Sequence, residues 1–362
     1  MKILITCPRA PVTVEWIRIF NQAGHEVILV DSLSFPIAKY YQQTTFVKIP
    51  APKLDFEGYK KEMLALIKGM DWVIPNCEDI FFLSQIREQI EGGAYLFMPE
   101  DSLLFELHNK FAVSQYLNSH VRFPKTELVT SKEQIVLDSQ TILKPIFSRF
   151  GRSVIRHVTA KSIQNIGITK NNPWVQQQKI EGRAICNYAL LEEGRVIAHV
   201  AYEPKYLLNG AAATYFEPYV DERLERFIEQ FGFDTGYTGQ VAFDFIDNTE
   251  HLYVLECNPR ATSGLHILRH ALQFVDGNLI YKKGEEAKAY RVGTTLYTLF
   301  GLSSLFKGRF KELDYDHKRA DDVLEGLPWY GQFLSMWGMV QRAIIYRKEI
   351  TSASTFDIEY DG

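Results

Sequence analysis

Cysteine is scarce in this chain, and what there is does not cluster. Cys7, Cys77, Cys186 and Cys257 show no C-x-x-C spacing, and each lies in or at the end of an apolar run. That excludes a disulfide framework and a cysteine-based zinc site, and it points to buried thiols in a reducing compartment. Long apolar runs are missing too. No stretch approaches the roughly 18 residues needed to span a bilayer, and the apolar run before Thr6, Cys7 and Pro8 is too short for a signal peptide. The expectation is a cytoplasmic protein with no transmembrane segment. Neither sign of charge dominates: 40 Lys and Arg face 44 Asp and Glu, for a formal net charge of −4. The chain as a whole is therefore not drawn to nucleic acid or to an anionic membrane, and any basic character that matters is local. Internal repeats and low-complexity tracts are absent as well.

With 362 residues, 46% of them hydrophobic and 23% charged, the chain has the makeup of a soluble globular protein of two or three domains. Its first hundred residues alternate short apolar runs with helical patterns. Strands are predicted over Lys2–Thr6, Glu26–Asp31, Thr45–Ile49, Trp72–Pro75 and Tyr95–Met98, with helices running to Gln22, over Tyr59–Lys68 and over Asp79–Ile90. Such alternation implies an α/β fold with a parallel, helix-covered sheet. It invites a dinucleotide-binding reading with Asp31 as the ribose carboxylate. The turn after the first strand, Cys7-Pro8-Arg9-Ala10-Pro11, has no glycine, so the backbone cannot approach a pyrophosphate closely there. Arg9 is either an anion-holding residue at a helix start or a solvated loop arginine. Glu78 and Asp79 sit at a strand's carboxyl end, either as ligand-facing residues or as acids favoured by a helix dipole.

The most informative stretch is Gly239–Leu268. Two alternating apolar runs, Gln240–Ile246 and His251–Cys257, flank Asp247-Asn248-Thr249-Glu250 and read as a β-hairpin with a polar turn. Side chains of like parity share a face, so Glu256 and Asn258 point the same way, and antiparallel pairing can lay Asp244 beside them. Two carboxylates and a carboxamide suit Mg2+ delivered with substrate phosphates. Arg260 suits an anionic phosphoryl or carboxylate group. The plain alternative is a surface hairpin whose polar face is solvated. The ordered run Glu256-Cys257-Asn258-Pro259-Arg260 resembles the E-x-N-P-R signature of the ATP-grasp superfamily, with Asp244 as the acid of the preceding strand. The resemblance extends over about residues 1 to 280 and is nearest to the carbamoyl-phosphate-synthase-like and amino-acid-ligase branches.

That resemblance implies an N-terminal parallel-sheet pre-ATP-grasp domain at 1–104 and a two-lobed α+β ATP-grasp domain. Its small lobe would be 105–172 and its large lobe 173–280, with a helical C-terminal extension at 281–362. Lys110 and Lys144 would pair with ATP phosphates. The loop from Ser148 to Ser153, with Gly151, Arg152 and Ser153, would cover them as a flap. Gln178, Lys179 and Ile180 would line the adenine pocket, and Lys205 and Arg260 would contact the reacting phosphate. Two positions depart from the pattern: Gln178 stands where a glutamate is usual, and Ala184 stands where a second glutamate holds the ribose. The implied activity is ATP-dependent carboxylate–amine ligation through an acyl-phosphate, with ATP and Mg2+ (Mn2+ as the alternative) and small-molecule carboxylate and amine substrates. A homodimer is compatible with it. Two other readings stand beside this one: a nucleotide-binding protein without ligase activity, favoured by Ala184 and the single-glycine flap, and an NAD-dependent oxidoreductase.

His266 and His270 form an i, i+4 pair without a third ligand of matching type, and read as helix-face histidines near a substrate mouth more than as a zinc site. Further on, Tyr297–Phe306 and Trp329–Tyr346 are amphipathic and rich in aromatics. The second, with Arg342, Arg347 and Lys348, is a candidate for a membrane surface or a partner. Packing onto the core is the expected use of such helices.

Overall fold

The strand Lys2–Thr6 (β1) carries Ile3, Leu4 and Ile5 in an unbroken apolar run, and all three are fully buried, as a central strand covered on both faces requires. The computed structural model describes residues 1–117, 121–147, 153–208, 212–285 and 289–361. After β1 come α1 (Thr13–Gln22), β2 (Glu26–Asp31), β3 (Thr44–Lys48), α2 (Phe56–Ile67), β4 (Trp72–Ile74), α3 (Ile80–Ser84) and β5 (Tyr95–Leu96). The strands form a parallel five-stranded sheet in the order β3-β2-β1-β4-β5. This is the expected α/β domain, and α1 buries Trp16, Ile17 and Phe20 in its core. The single helix expected over Asp79–Ile90 is instead α3 followed by a 3-10 turn at Arg87–Gln89, where the Arg87 guanidinium is drawn to Asp101 at 2.8 Å.

Next, α4 (Asp101–His108) and α5 (Ala112–Tyr116) lead into β6 (Thr126–Val129), β7 (Thr141–Pro145) and β8 (Trp174–Gln178). These strands make an antiparallel sheet in the order β6-β8-β7. Trp174–Gln178, expected at the start of the 173–280 segment, pairs on both sides with strands that precede it in the chain. The strand expected over Val154–Val158 is only a bridge. Ile155 and Leu143 exchange amide–carbonyl bonds of 2.8 and 3.0 Å there.

A larger sheet follows. β9 (Arg183–Glu192) and β10 (Arg195–Leu208) are joined by Glu193 and Gly194, whose φ values of +48° and +80° match the twist of a two-residue hairpin. A Cβ on Gly194 would lie 2.5 Å from the Gly232 carbonyl oxygen, so this turn seats directly on a helix. The chain continues through β11 (Ala212–Tyr219), α6 (Glu222–Thr235), β12 (Gly239–Asp247) and β13 (Leu252–Asn258). α6 buries Leu224, Phe227, Ile228 and Phe231, at i, i+3, i+4 and i+7, against Phe243 and Phe245 of β12. Alternation along β12 then turns Asp244 to the opposite face.

The remaining elements are β14 (Leu272–Val275), β15 (Asn278–Tyr281), β16 (Tyr290–Arg291), α7 (Gly301–Phe306), α8 (Phe310–Arg319), β17 (Asp321–Asp322), α9 (Trp329–Tyr346) and α10 (Ile350–Ala353). β16 pairs with β11 and β17 with β16, so the C-terminal region completes a seven-stranded sheet in the order β13-β12-β9-β10-β11-β16-β17. α9 departs from the expectation that its apolar side packs inward. Its buried residues are Gly331 and Ser335, while Trp329, Phe333 and Trp337 are exposed.

Arg9 is neither a solvated loop residue nor open to an anion. Its guanidinium is buried between Asp31, which it grips through Nε and Nη2, and Asp357, at 2.7 Å from Nη1. Arg342 adds a 2.9 Å contact to Asp357. With Asp31 committed to Arg9, the ribose carboxylate of the dinucleotide reading is gone. Removing Arg9 strands buried carboxylates, so Arg9→Ala should destabilise the fold by about 3–5 kcal/mol in urea titration. Burial works against the Asp357 charge, but Arg9 and the groups beside it hold that carboxyl below its ordinary range. A group so depressed stabilises the fold above its unfolded pKa, about 4 for Asp, and ceases to as the pH falls through its folded value. Asp357→Asn should therefore flatten the loss of stability on acidification, read as melting temperature against pH.

Candidate functional site

β12 and β13 pair with Asp244 directly opposite Glu256 and Ala242 opposite Asn258. Directly paired residues share a face, so the two carboxylates stand side by side. The Asn258 carboxamide reaches Asp244 at 3.4 Å through Nδ2. A bulge interrupts the ladder here: Phe245 pairs with Val254, leaving Leu255 as the extra residue. The Leu255 carbonyl accepts a 3.2 Å bond from Lys144 Nζ, which crosses from β7 of the small lobe to the hairpin of the large one.

Lys110 arrives from a third direction. Asn109 starts α5 by accepting the Phe111 and Ala112 amides at 2.9 and 3.1 Å, and the adjoining Lys110 places Nζ 3.5 Å from Glu256 Oε2. Both lysines are 4% exposed, whereas the Glu256 side chain keeps 30% exposure, so the cluster is open on the carboxylate side. Arg260 donates to Asn258 Oδ1 at 3.0 Å and lies 3.8 Å from Glu78.

The charges are strongly coupled. Burial, then the facing Glu256, pushes the Asp244 carboxyl up, while Glu256 is held well down because Lys110 and Lys144 outweigh its own burial. At an effective dielectric near 20 a charge pair about 4 Å apart interacts by about 4 kcal/mol, which makes that outcome reasonable. Burial lowers Lys144 to about 8, against the opposing pull of Glu256. Cys186, opposite Asp244 on β9, is a neutral thiol and not a nucleophile, because burial and the carboxylate push it up. Two carboxylates crowded across one gap are relieved by a divalent cation, and an all-oxygen set of Asp244, Glu256 and Asn258 fits Mg2+ or Mn2+. Among the described residues no group of three or more His, Cys, Asp or Glu suits a metal ion.

Several expected site residues lie elsewhere. Lys205 pairs with Glu217 at 2.8 Å, and the alternation of β10 puts it on the face opposite Tyr202, which is in register with Cys186 and hence with Asp244. The structure does not bring Lys205 to the cluster. Gly151 and Arg152 fall outside the described residues; Ser153 is exposed in a turn beyond them. On β8, the Gln178 side chain accepts the Lys125 amide at 3.4 Å, and the Lys179 amide just after it donates to the Gln140 carbonyl at 2.7 Å. Of the segment's expected adenine-facing groups, the Lys179 carbonyl and the Ile180 amide carry no bond among those described. His266 faces inward, with Nδ1 2.7 Å from Glu15 beside Arg269, so it locks the large lobe to α1 and does not line a substrate mouth.

The cluster has further neighbours, of which the strand-end acid Glu78 stands out in the sequence and the others do not. Glu78 is buried at the carboxyl end of β4 and accepts the Tyr360 amide at 3.1 Å. The Tyr360 ring stacks on Phe81 at 5.1 Å, and His108 sits between Phe81 and Phe147 at 4.4 and 5.2 Å. The strand-end position of Glu78 is a signal for it; a tail residue such as Tyr360 carries none.

Residues 107–264 match the family model described as an ATP-grasp domain. No curated protein matches the chain. Among solved structures, an N5-carboxyaminoimidazole synthetase from Staphylococcus aureus complexed with ADP is similar at 14% identity and a TM-score of 0.59, over 75% of this chain and 74% of that one. An L-amino acid ligase from Bacillus licheniformis is similar at 16% identity and 0.56, over 75% and 70%. Rhizobium etli pyruvate carboxylase is similar at 15% identity and 0.57, over 74% of this chain and 27% of that one. At such identities the likeness establishes a shared fold.

The coupling of charges can be checked without any ligand. Glu256→Gln removes the charge that raises both Asp244 and Lys144. In a site-resolved NMR titration both should move down, Lys144 further below about 8 and Asp244 toward the ordinary carboxylate range. Opposite or absent movement would separate the cluster into independent groups.

Proposed function

We propose that this chain, whose residues 107–264 match an ATP-grasp domain, is an ATP-dependent ligase that joins a small-molecule carboxylate to an amine through an acyl-phosphate. The observation that carries the reading is the convergence of Asp244, Glu256 and Asn258 on one hairpin face with two buried lysines from separate elements. The carboxylate oxygen of the substrate attacks the γ-phosphorus of ATP and ADP departs. The amine then attacks the acyl carbon, giving an amide, free phosphate and a proton. Catalysis of such transfers is mainly positioning and neutralisation of spreading negative charge.

The chain's own residues divide that work. Lys110 and Lys144 pair with phosphate oxygens, exchanging their present contacts with Glu256 and Leu255 for the more strongly charged ligand. Asp244, Glu256 and Asn258 would hold Mg2+, which would supply charge neutralisation to the phosphates. Arg260, fixed by Asn258, faces the transferred group or the carboxylate. The loop expected to keep water from the acyl-phosphate, Ser148–Ser153, lies outside the described residues up to Arg152. Gln178, Lys179 and Ile180 border the adenine. Lys205 is left to its ion pair with Glu217.

Glu256→Ala should reduce Mg2+-dependent ATP turnover by roughly 100-fold or more while circular dichroism stays that of the folded protein; unchanged turnover would remove the metal site. A panel of amino acids, dipeptides and small acids, assayed for ATP-dependent phosphate release, identifies the substrates. Lys144 loses its charge as the pH rises through about 8. ATP affinity should therefore fall across that range in the native chain and stay flat in Lys144→Arg, measured by calorimetry at constant ionic strength.

A further inference from the structure

α9 is an amphipathic helix facing the wrong way for a core element. Gly331, Ser335, Gly338 and Arg342 recur at helical spacing on its inner side. A Cβ on Gly331 would come within 2.6 Å of the Tyr40 ring, and one on Gly338 within 3.4 Å of the Phe35 ring, so small residues let the helix lie close. Arg342 turns inward to Asp357. The opposite side carries Trp329, Phe333, Trp337 and Ile344, at i, i+4, i+8 and i+15, flanked by Tyr330 and Met336. All six are exposed, Trp329 by 80% and Ile344 by 72%. A surface helix of a globular protein normally keeps its apolar stripe inside, and a contiguous apolar patch left outside marks an interaction surface.

Charge decides what that surface meets. From Gly326 to Lys348 there is no Asp or Glu, in a chain that has 44 of them, while Arg347 and Lys348 are exposed where the helix ends. A second segment repeats the pattern. From Val292 to Lys311 no acid occurs; Leu302, Leu305 and Phe306 are exposed, Phe306 by 85%, and Lys307, Arg309 and Lys311 follow. No helix among the described residues is long and apolar enough to cross a membrane.

We propose that α9 docks this protein peripherally on an anionic lipid surface. The apolar stripe enters the headgroup boundary, tryptophan and tyrosine sit at the interface, and the terminal cations meet lipid phosphates. A helix without acids, ended by exposed Arg347 and Lys348, suits an anionic bilayer even with Glu325 and Glu349 bordering it, whereas self-association through it would bring those cations together. The chain's negative net charge is not opposed to this, because the attraction falls off within a Debye length of the cations that make contact.

The test is flotation of the full chain with vesicles of phosphatidylcholine alone or of phosphatidylcholine mixed with phosphatidylglycerol. Binding is expected to the mixed vesicles and to weaken at high salt. Trp337→Glu and the pair Arg347→Glu with Lys348→Glu should each lower it by roughly tenfold or more. Because these side chains are exposed, circular dichroism and ATP turnover in solution should be unchanged, which separates lost docking from lost folding. Absence of flotation with both vesicle types, equal flotation with the neutral ones, or full binding by Trp337→Glu would overturn the proposal. So would self-association in sedimentation velocity that Trp337→Glu abolishes, because the stripe would then cover a second copy.

Discussion

Two carboxylates placed opposite each other on adjacent strands set the terms for the rest of this molecule. Asp244 and Glu256 repel at a distance fixed by the backbone ladder, so their charge must be met by something brought from elsewhere. The chain meets it with Lys110 from the entry to α5 and Lys144 from β7, neither of which belongs to the sheet that carries the acids. These contacts tie β7 and the entry to α5 to the hairpin of the large sheet.

The sheet architecture makes this possible by dividing its faces. α6 fills one face of the large sheet with phenylalanine, and strand alternation then commits Asp244 and Glu256 to the other. On that second face, Glu15 receives both His266 and Arg269, fixing the first domain to the large lobe. Burial works against the Glu15 charge, but these partners bring its carboxyl down to about 2. The site thus lies along a seam whose walls are pinned from both sides.

What could be read from the residues alone follows the range of the forces involved. The hairpin was legible, because period-two alternation and a polar turn are local signals. Lys144 was singled out by the family resemblance, and the fold buries it against the Leu255 carbonyl. Arg9 was misread because its second acid, Asp357, is far away in the chain, and no spacing rule links them. Lys205 was placed by position in a loop-rich stretch, and the pairing of β10 with β11 sends it to Glu217 instead. α9 shows the limit of periodicity itself: the stripe was visible, but only the glycines seated on Tyr40 and Phe35 reveal which side faces in.

The Arg9 clasp has a consequence for how the polypeptide is made. Arg9 and Asp31 emerge from the ribosome early, but the carboxylate and the second guanidinium that complete their buried cluster come from positions 357 and 342. Until those residues are synthesised, the first domain holds a desolvated charge cluster lacking half its members. A nascent or prematurely ended chain therefore keeps its earliest-made domain loosely closed, and cellular proteases meet that weakness before any catalytic defect becomes visible.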